Sequence, residues 1–185
     1  MRLFVSVDLP HELGEEIEQL QERFEQAEGL RFTDPYQSHV TLKFLGEVDE
    51  SRVGTTIDGI EQGVEVADVG PFEATVEDLG VFPDLEYIRV LWVGFGDGAD
   101  ELSRLAASIE TELVDRGFDE ADHAFTPHVT IARMEYAGGK GLVQRLVREE
   151  HPTLGSFTVD EVCLTKSTLT SEGPEYDTVE RIQLV

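Results

Sequence analysis

One cysteine stands in this chain of 185 residues. No disulfide can close within it, and a site built from several thiolates is excluded. Cys163 sits in the strand-like run "DEVCLTKST" and reads as a small buried hydrophobe. Lysine is also scarce, at three residues, and there is a single tryptophan. No apolar run reaches the roughly 18 residues that a membrane-spanning helix needs, so no membrane association is expected. "MRLFVSVDLP" alternates apolar and polar residues and then meets a proline. It lacks the long apolar centre and small-residue cleavage site of a secretory signal, and a cytoplasmic protein is expected. Basic residues number 14 against 39 acidic ones, for a net charge of −25. A molecule this acidic repels polyanions at long range, which argues against a nonspecific nucleic-acid binder. Lysine-poor acidity also suits a very salty cytoplasm, where the screening length falls to about 3 Å at 1 M salt. In that halophilic setting the acidity says where the protein works, and little about its substrate.

What is present supports a core: 40% of residues are hydrophobic, enough for one domain over 1–185 or two small lobes sharing an interface. Leu3, Val5 and Val7 put one apolar face on a strand at 2–8. Pro10 opens a helix over 10–27, with Leu13, Ile17, Leu20 and Phe24 as its apolar stripe. "RFTDPYQ" reads as a loop before a strand at 38–45. A helix within 49–66 carries Val53, Ile57 and Ile60, against the cost of Gly54, Gly59 and Gly63. Strands at 72–81 and 86–94 flank a turn at "FPDLE". A helix over 98–116 precedes a loop and a strand at 127–133. A helix over 140–150 is followed by strands at 156–168 and 176–184. The order is β-α-β-α-β, then β-α-β-α-β-β, which is two similar halves. Hairpins in the later part predict largely antiparallel sheets with helices on one face.

Each half carries His-Val-Thr in its central strand: "SHVTLKFLG" at 38–46 and "PHVTIAR" at 127–133. Alternation puts His39, Thr41 and Lys43 on one face, and His128, Thr130 and Ala132 on one face. Each imidazole then lies roughly 7 Å along the strand from a hydroxyl. One His-x-Thr alone is ordinary, since threonine is a good strand former. Two copies, each inside an apolar strand behind a turn-rich loop, point to a site. The other histidines add no ligand set: His11 and His151 sit at helix ends, and His123 lies near His128 without an acidic partner in register. Neither copy has zinc-ligand spacing, so neither metal nor cofactor is expected.

Two converging imidazoles suit displacement at phosphorus. Near neutrality one ring can be neutral and take a proton while the other is charged and gives one. In-line displacement needs both roles on opposite sides of the phosphorus. Threonine hydroxyls can donate to the non-bridging oxygens.

"MRLFVSVDLP", "HVTLKFLGEV", "PHVTIAR" and the tail "STLTSEGPEYDTVERIQLV" resemble the 2H phosphoesterase superfamily, in particular its RNA 2′,3′-cyclic phosphodiesterase branch, historically called 2′-5′ RNA ligase. The resemblance spans essentially the whole chain. It implies a bilobal α+β fold, with two pseudo-symmetric antiparallel sheets flanked by helices and an active-site cleft between the lobes. It implies hydrolysis of a 2′,3′-cyclic phosphate at an RNA end to a 2′-phosphate, without metal, by a monomer. The alternatives are a 2′-5′ ligase or phosphodiesterase for tRNA halves or short oligonucleotides, and a non-catalytic RNA-end binder. On this resemblance His39 is the general acid and His128 the general base. Thr41, Thr130 and Arg133 bind the phosphate, with Lys43 as a further backbone contact; in so acidic a chain, attraction to RNA then falls to a local patch around Arg133 and Lys43, with Arg2 or Arg31 as a further cation. Arg133 needs a bulge to reach the cleft, because simple alternation points it away. Family members often carry Trp-x-Pro-Pro before the first motif, where this chain has Phe32 and a single Pro35; base stacking then falls to Phe32 or Tyr36. Pro174 and Tyr176 match the family tail.

Overall fold

β1 (Arg2–Asp8) buries Leu3, Val5 and Val7 almost completely, as their spacing predicts, and its other face, Phe4 and Ser6, is buried as well. The computed structural model describes residues 1–185. The remaining strands are β2 (Leu30–Phe32), β3 (His39–Glu47), β4 (Phe72–Asp84), β5 (Tyr87–Phe95), β6 (Val129–Met134), β7 (Thr153–Val159), β8 (Glu161–Thr170) and β9 (Gly173–Gln183). The helices are α1 (His11–Glu22), α2 (Val53–Ala67), α3 (Ala99–Asp115) and α4 (Lys140–Glu149). One sheet has the order β3-β1-β8-β9 and the other β2-β6-β5-β4-β7. Every pairing is antiparallel. The architecture is the α+β, two-sheet arrangement anticipated above.

The two halves share a strand plan. β3-β1-β8-β9 in the first sheet corresponds to β6-β5-β4-β7 in the second, with β2 as an added edge. The helices cross over. α1 follows β1 of the first sheet but packs on β6 and β7 of the second, while α3 follows β5 of the second sheet but packs on β3 and α2 in the first lobe. Each half thus clamps the other, and one apolar cluster runs through both lobes. The glycines of α2 have a packing reason. A Cβ on Gly63 would fall 2.8 Å from the Ile109 Cα, and one on Gly59 would fall 2.7 Å from a Leu113 methyl. Their bareness lets α3 lie close, with Ile60, Ile109 and Leu113 fully buried. Burying each such side chain contributes roughly 1.5–3 kcal/mol.

Several boundaries differ from the periodicity: the turn read at "FPDLE" has Phe82–Asp84 inside β4, and the last strand, read from 176, begins at Gly173. α1 stops at Glu22, although the stripe continues, because Phe24 and Ala27 stay buried in turns beyond it. The loop read at "RFTDPYQ" begins inside the short edge strand β2. The single strand read at 156–168 is two strands, β7 and β8, one in each sheet. Only Asp160 separates them, so the passage between lobes carries no turn signal in the sequence.

Candidate active site

β3 begins at His39, and β6 begins immediately after His128. Both strands then bulge at the same place. Along β1–β3, Ser6 pairs with Thr41 and Val5 with Lys43, so Leu42 is the extra residue. Along β5–β6, Trp92 pairs with Thr130 and Leu91 with Ala132, so Ile131 is the extra residue. A bulge of this kind resets which face later side chains occupy. Leu42 and Lys43 are both buried, as are Ile131 and Ala132. Phe44 and Arg133 emerge on the exposed side. The second bulge is held from behind. The buried Gln21 amide of α1 donates to the Ile131 carbonyl at 3.0 Å and to the Thr33 carbonyl at 3.0 Å. The Thr33 amide also donates to the Ile131 carbonyl, at 3.1 Å.

The two imidazoles are set alike. His39 Nδ1 lies 2.9 Å from the Gln37 carbonyl oxygen, and His128 Nδ1 lies 2.6 Å from that of Thr126. A carbonyl only accepts, so each Nδ1 carries the hydrogen, and Nε2 of the neutral ring is a free lone pair. Each ring is braced by two aromatics. Phe4 and Tyr176 stand 5.0 and 4.9 Å from the His39 ring. Phe82 and Trp92 stand 4.8 and 5.8 Å from the His128 ring. The Trp92 indole lies over Gly80, where a Cβ would meet it at 2.2 Å, and its Nε1 is buried without a partner. Gln37 adds a cross-tie: its amide donates to the Pro174 carbonyl at 3.2 Å and accepts from the Tyr176 amide at 3.1 Å.

Burial is the main cause holding both histidines below the usual imidazole value, and the Arg133 cation acts the same way on each. The bonds to Gln37 and Thr126 oppose it. The charge of His39 also lowers His128, so the two rings share one electrostatic site. Asp8, the cross-strand neighbour of His39, favours the charged form of that ring. No carboxylate acts on His128 in this way.

His39, His128 and Arg133 are therefore brought together. Arg133 is exposed and has no carboxylate partner. Its charge, with that of Arg2, also reaches the Tyr176 hydroxyl, although burial keeps that group above its usual value. Thr41 and Thr130 are partly accessible, and nothing in the protein bonds to either hydroxyl. Lys43 is not brought to the site. The bulge at Leu42 turns it to the helix side, where it is buried, pairs with the Glu110 carboxylate and donates to the Asp119 carbonyl at 2.8 Å. Burial pushes Glu110 up, and the bonds from Lys43 and from the Ala121 amide outweigh it to leave the carboxyl below its usual range.

Other candidates fall elsewhere. Cys163 is buried, and burial, with Asp8 and Glu161, pushes its thiol up to about 12. His11 stacks on Tyr36 at 4.7 Å between ring centres, and His151 faces Asp78 at 3.5 Å on the surface. No three His, Cys, Asp or Glu side chains converge as a ligand set for a metal ion. The sequence reading missed the brace residues Phe4, Phe82 and Trp92, and also Phe44, which is 74% exposed. Aligning His-Val-Thr-Leu-Lys-Phe with His-Val-Thr-Ile-Ala-Arg puts Phe44 opposite Arg133, and that alignment is the signal that finds it.

Comparison with known proteins follows the same division. The model of the LigT-like phosphoesterases matches twice, over residues 7–92 and 95–176, with one His-Val-Thr strand in each match. A Methanocaldococcus jannaschii protein named RNA 2′,3′-cyclic phosphodiesterase is 32% identical over 181 residues, covering 97% of this chain and 99% of its own. A protein of the same name from Aquifex aeolicus is 31% identical over 185 residues, covering 100% and 97%. A Thermus thermophilus crystal structure matches with a TM-score of 0.82 at 27% identity, over 100% of this chain and 98% of that one. Escherichia coli LigT complexed with 3′-AMP matches with a TM-score of 0.78 at 26% identity, over 99% and 97%. With one histidine strand in each matched half, this chain belongs to the LigT-like phosphoesterases of the 2H superfamily.

Proposed function

We propose that the chain is a hydrolase that opens RNA 2′,3′-cyclic phosphate ends to 2′-phosphomonoesters by two-histidine acid–base catalysis. The observation that carries this reading is the matched pair of imidazoles. Each is fixed through Nδ1 to the carbonyl two residues earlier, with Nε2 free, and they lie within reach of each other's charge and that of Arg133. His128 Nε2 takes a proton from water as the water oxygen bonds to phosphorus. The bond from phosphorus to the 3′ oxygen breaks, and His39 gives its Nε2 proton to that oxygen. The products are a 2′-phosphate and a free 3′-hydroxyl. The rings finish with exchanged protonation and are reset by solvent.

Asp8 supports this direction. It favours the charged ring at His39, the ring that must donate, and no carboxylate does so at His128. The bound phosphate anion favours protonation of either ring, which loads the acid when substrate is present. Arg133 and the hydroxyls of Thr41 and Thr130 take the non-bridging oxygens, where charge accumulates. Both histidines come from one chain, which supports reading 1–185 as one bilobal domain that acts as a monomer. RNA ends, those of tRNA fragments among them, are the substrates this reading proposes, and a salty cytoplasm is the setting that the acidic composition fits.

The test is incubation with a nucleoside 2′,3′-cyclic phosphate in high salt with EDTA. The expected result is the 2′-monophosphate as the product, at an undiminished rate. Loss of turnover in EDTA counts against catalysis by these side chains alone. Binding without turnover assigns the cleft to an RNA-end binding module.

A further inference from the structure

We propose that Arg31 forms a second anion site, which takes the phosphodiester upstream of the terminal cyclic phosphate and so favours an RNA strand over a lone nucleotide; this rests on the function proposed above. Arg31 lies on β2 directly opposite Arg133 on β6. In an antiparallel pair such residues have Cα atoms about 4.5–5.5 Å apart and share a face. Two like charges placed this way are destabilising unless something offsets them. This chain has carboxylates in excess, yet Arg133 has none, and Arg31 reaches only Glu135, at 4.0 Å. The Arg31 side chain is 64% exposed. A break in the local charge rule of this kind belongs at a functional site.

Position separates the roles of the two arginines. Arg133 lowers the protonation of both catalytic rings, whereas Arg31 acts on neither. Arg31 is one strand further out, by about 4.8 Å. Its guanidinium also reaches toward the opposite lobe: Nη2 would be 3.9 Å from a Cβ on Gly173, at the turn between β8 and β9. It therefore stands across one end of the cleft, beyond the reacting phosphorus. A cation there contacts the backbone and positions the strand without reading a base.

The experiment compares kcat/KM for a nucleoside 2′,3′-cyclic phosphate with that for a short oligonucleotide carrying the same end, in the wild type, Arg31→Gln and Arg31→Lys. The wild type should prefer the oligonucleotide. Arg31→Gln should reduce that preference by about tenfold, mainly through KM, and Arg31→Lys should restore part of it. For binding of an uncleavable oligonucleotide, the slope of log affinity against log salt should fall by about one in Arg31→Gln. Equal losses on both substrates, or no change on either, would overturn the second site. Binding keeps the two claims distinguishable. A wild type that turns over neither substrate contradicts the hydrolase, while an Arg31-dependent gain in affinity from the added nucleotide still upholds the site, and its absence removes it.

Discussion

The first and second lobes share a backbone and differ in what hangs from it. Both set a histidine at the entry to a strand, fix its Nδ1 to a carbonyl two residues back, and bulge one residue beyond the threonine. At matched positions the first lobe has Lys43 and Phe44 where the second has Ala132 and Arg133. Lys43 is spent on a structural ion pair with Glu110, and Ala132 simply fills the core. Phe44 presents an apolar ring to solvent, and Arg133 an unpaired cation. Asp8 stands beside the first histidine only. The comparison teaches that symmetry positions the two imidazoles, and on the proposed mechanism asymmetry gives them opposite roles. A fully symmetric site would have no reason to favour one ring as acid.

The largest break in the comparison is loss of either ring. His39→Ala and His128→Ala should each lower kcat by roughly 10²–10⁴-fold, and the double variant should lose little more, because the pair acts as a unit. Steady-state kinetics on a nucleoside cyclic phosphate measure this. Next comes the one cation that both lobes feel. Arg133→Gln should cost about 10²–10³-fold. It should also move both limbs of the pH profile of kcat/KM to higher pH, since the cation lowers both histidines and its removal raises them. The smallest effect on activity separates structure from catalysis. Lys43→Met should destabilise the fold by about 2 kcal/mol, because it leaves Glu110 partly buried without its charged donor. Denaturant unfolding measures that cost, and turnover should stay at the wild-type level.

Much of the site was legible in the sequence because strand alternation is a local rule. The two His-Val-Thr copies, their separation by half the chain and the apolar residues behind them were all visible. The bulges were not, because a bulge depends on the partner strand. Val5 and Ser6 decide that Lys43 turns inward, and Leu91 and Trp92 decide that Arg133 turns outward. Simple alternation therefore placed both residues on the wrong face. The need for a bulge could be seen only at Arg133, through the family resemblance. The exchange of α1 and α3 between lobes was equally hidden, since their stripes state that a face is buried and leave the partner open. The braces Phe4, Phe82 and Trp92 come from β1, β4 and β5, and only the sheet order brings them to the rings.

The most direct measurement is the pH dependence of kcat/KM for the wild type and for the residual activity of the two histidine variants. The wild type should give a bell whose limbs both lie on the acid side of ordinary histidine behaviour. His39→Ala should lose the alkaline limb, where the acid must remain protonated, and His128→Ala should lose the acid limb, where the base must be neutral. A bell that keeps both limbs in either variant would contradict the division of labour between the lobes.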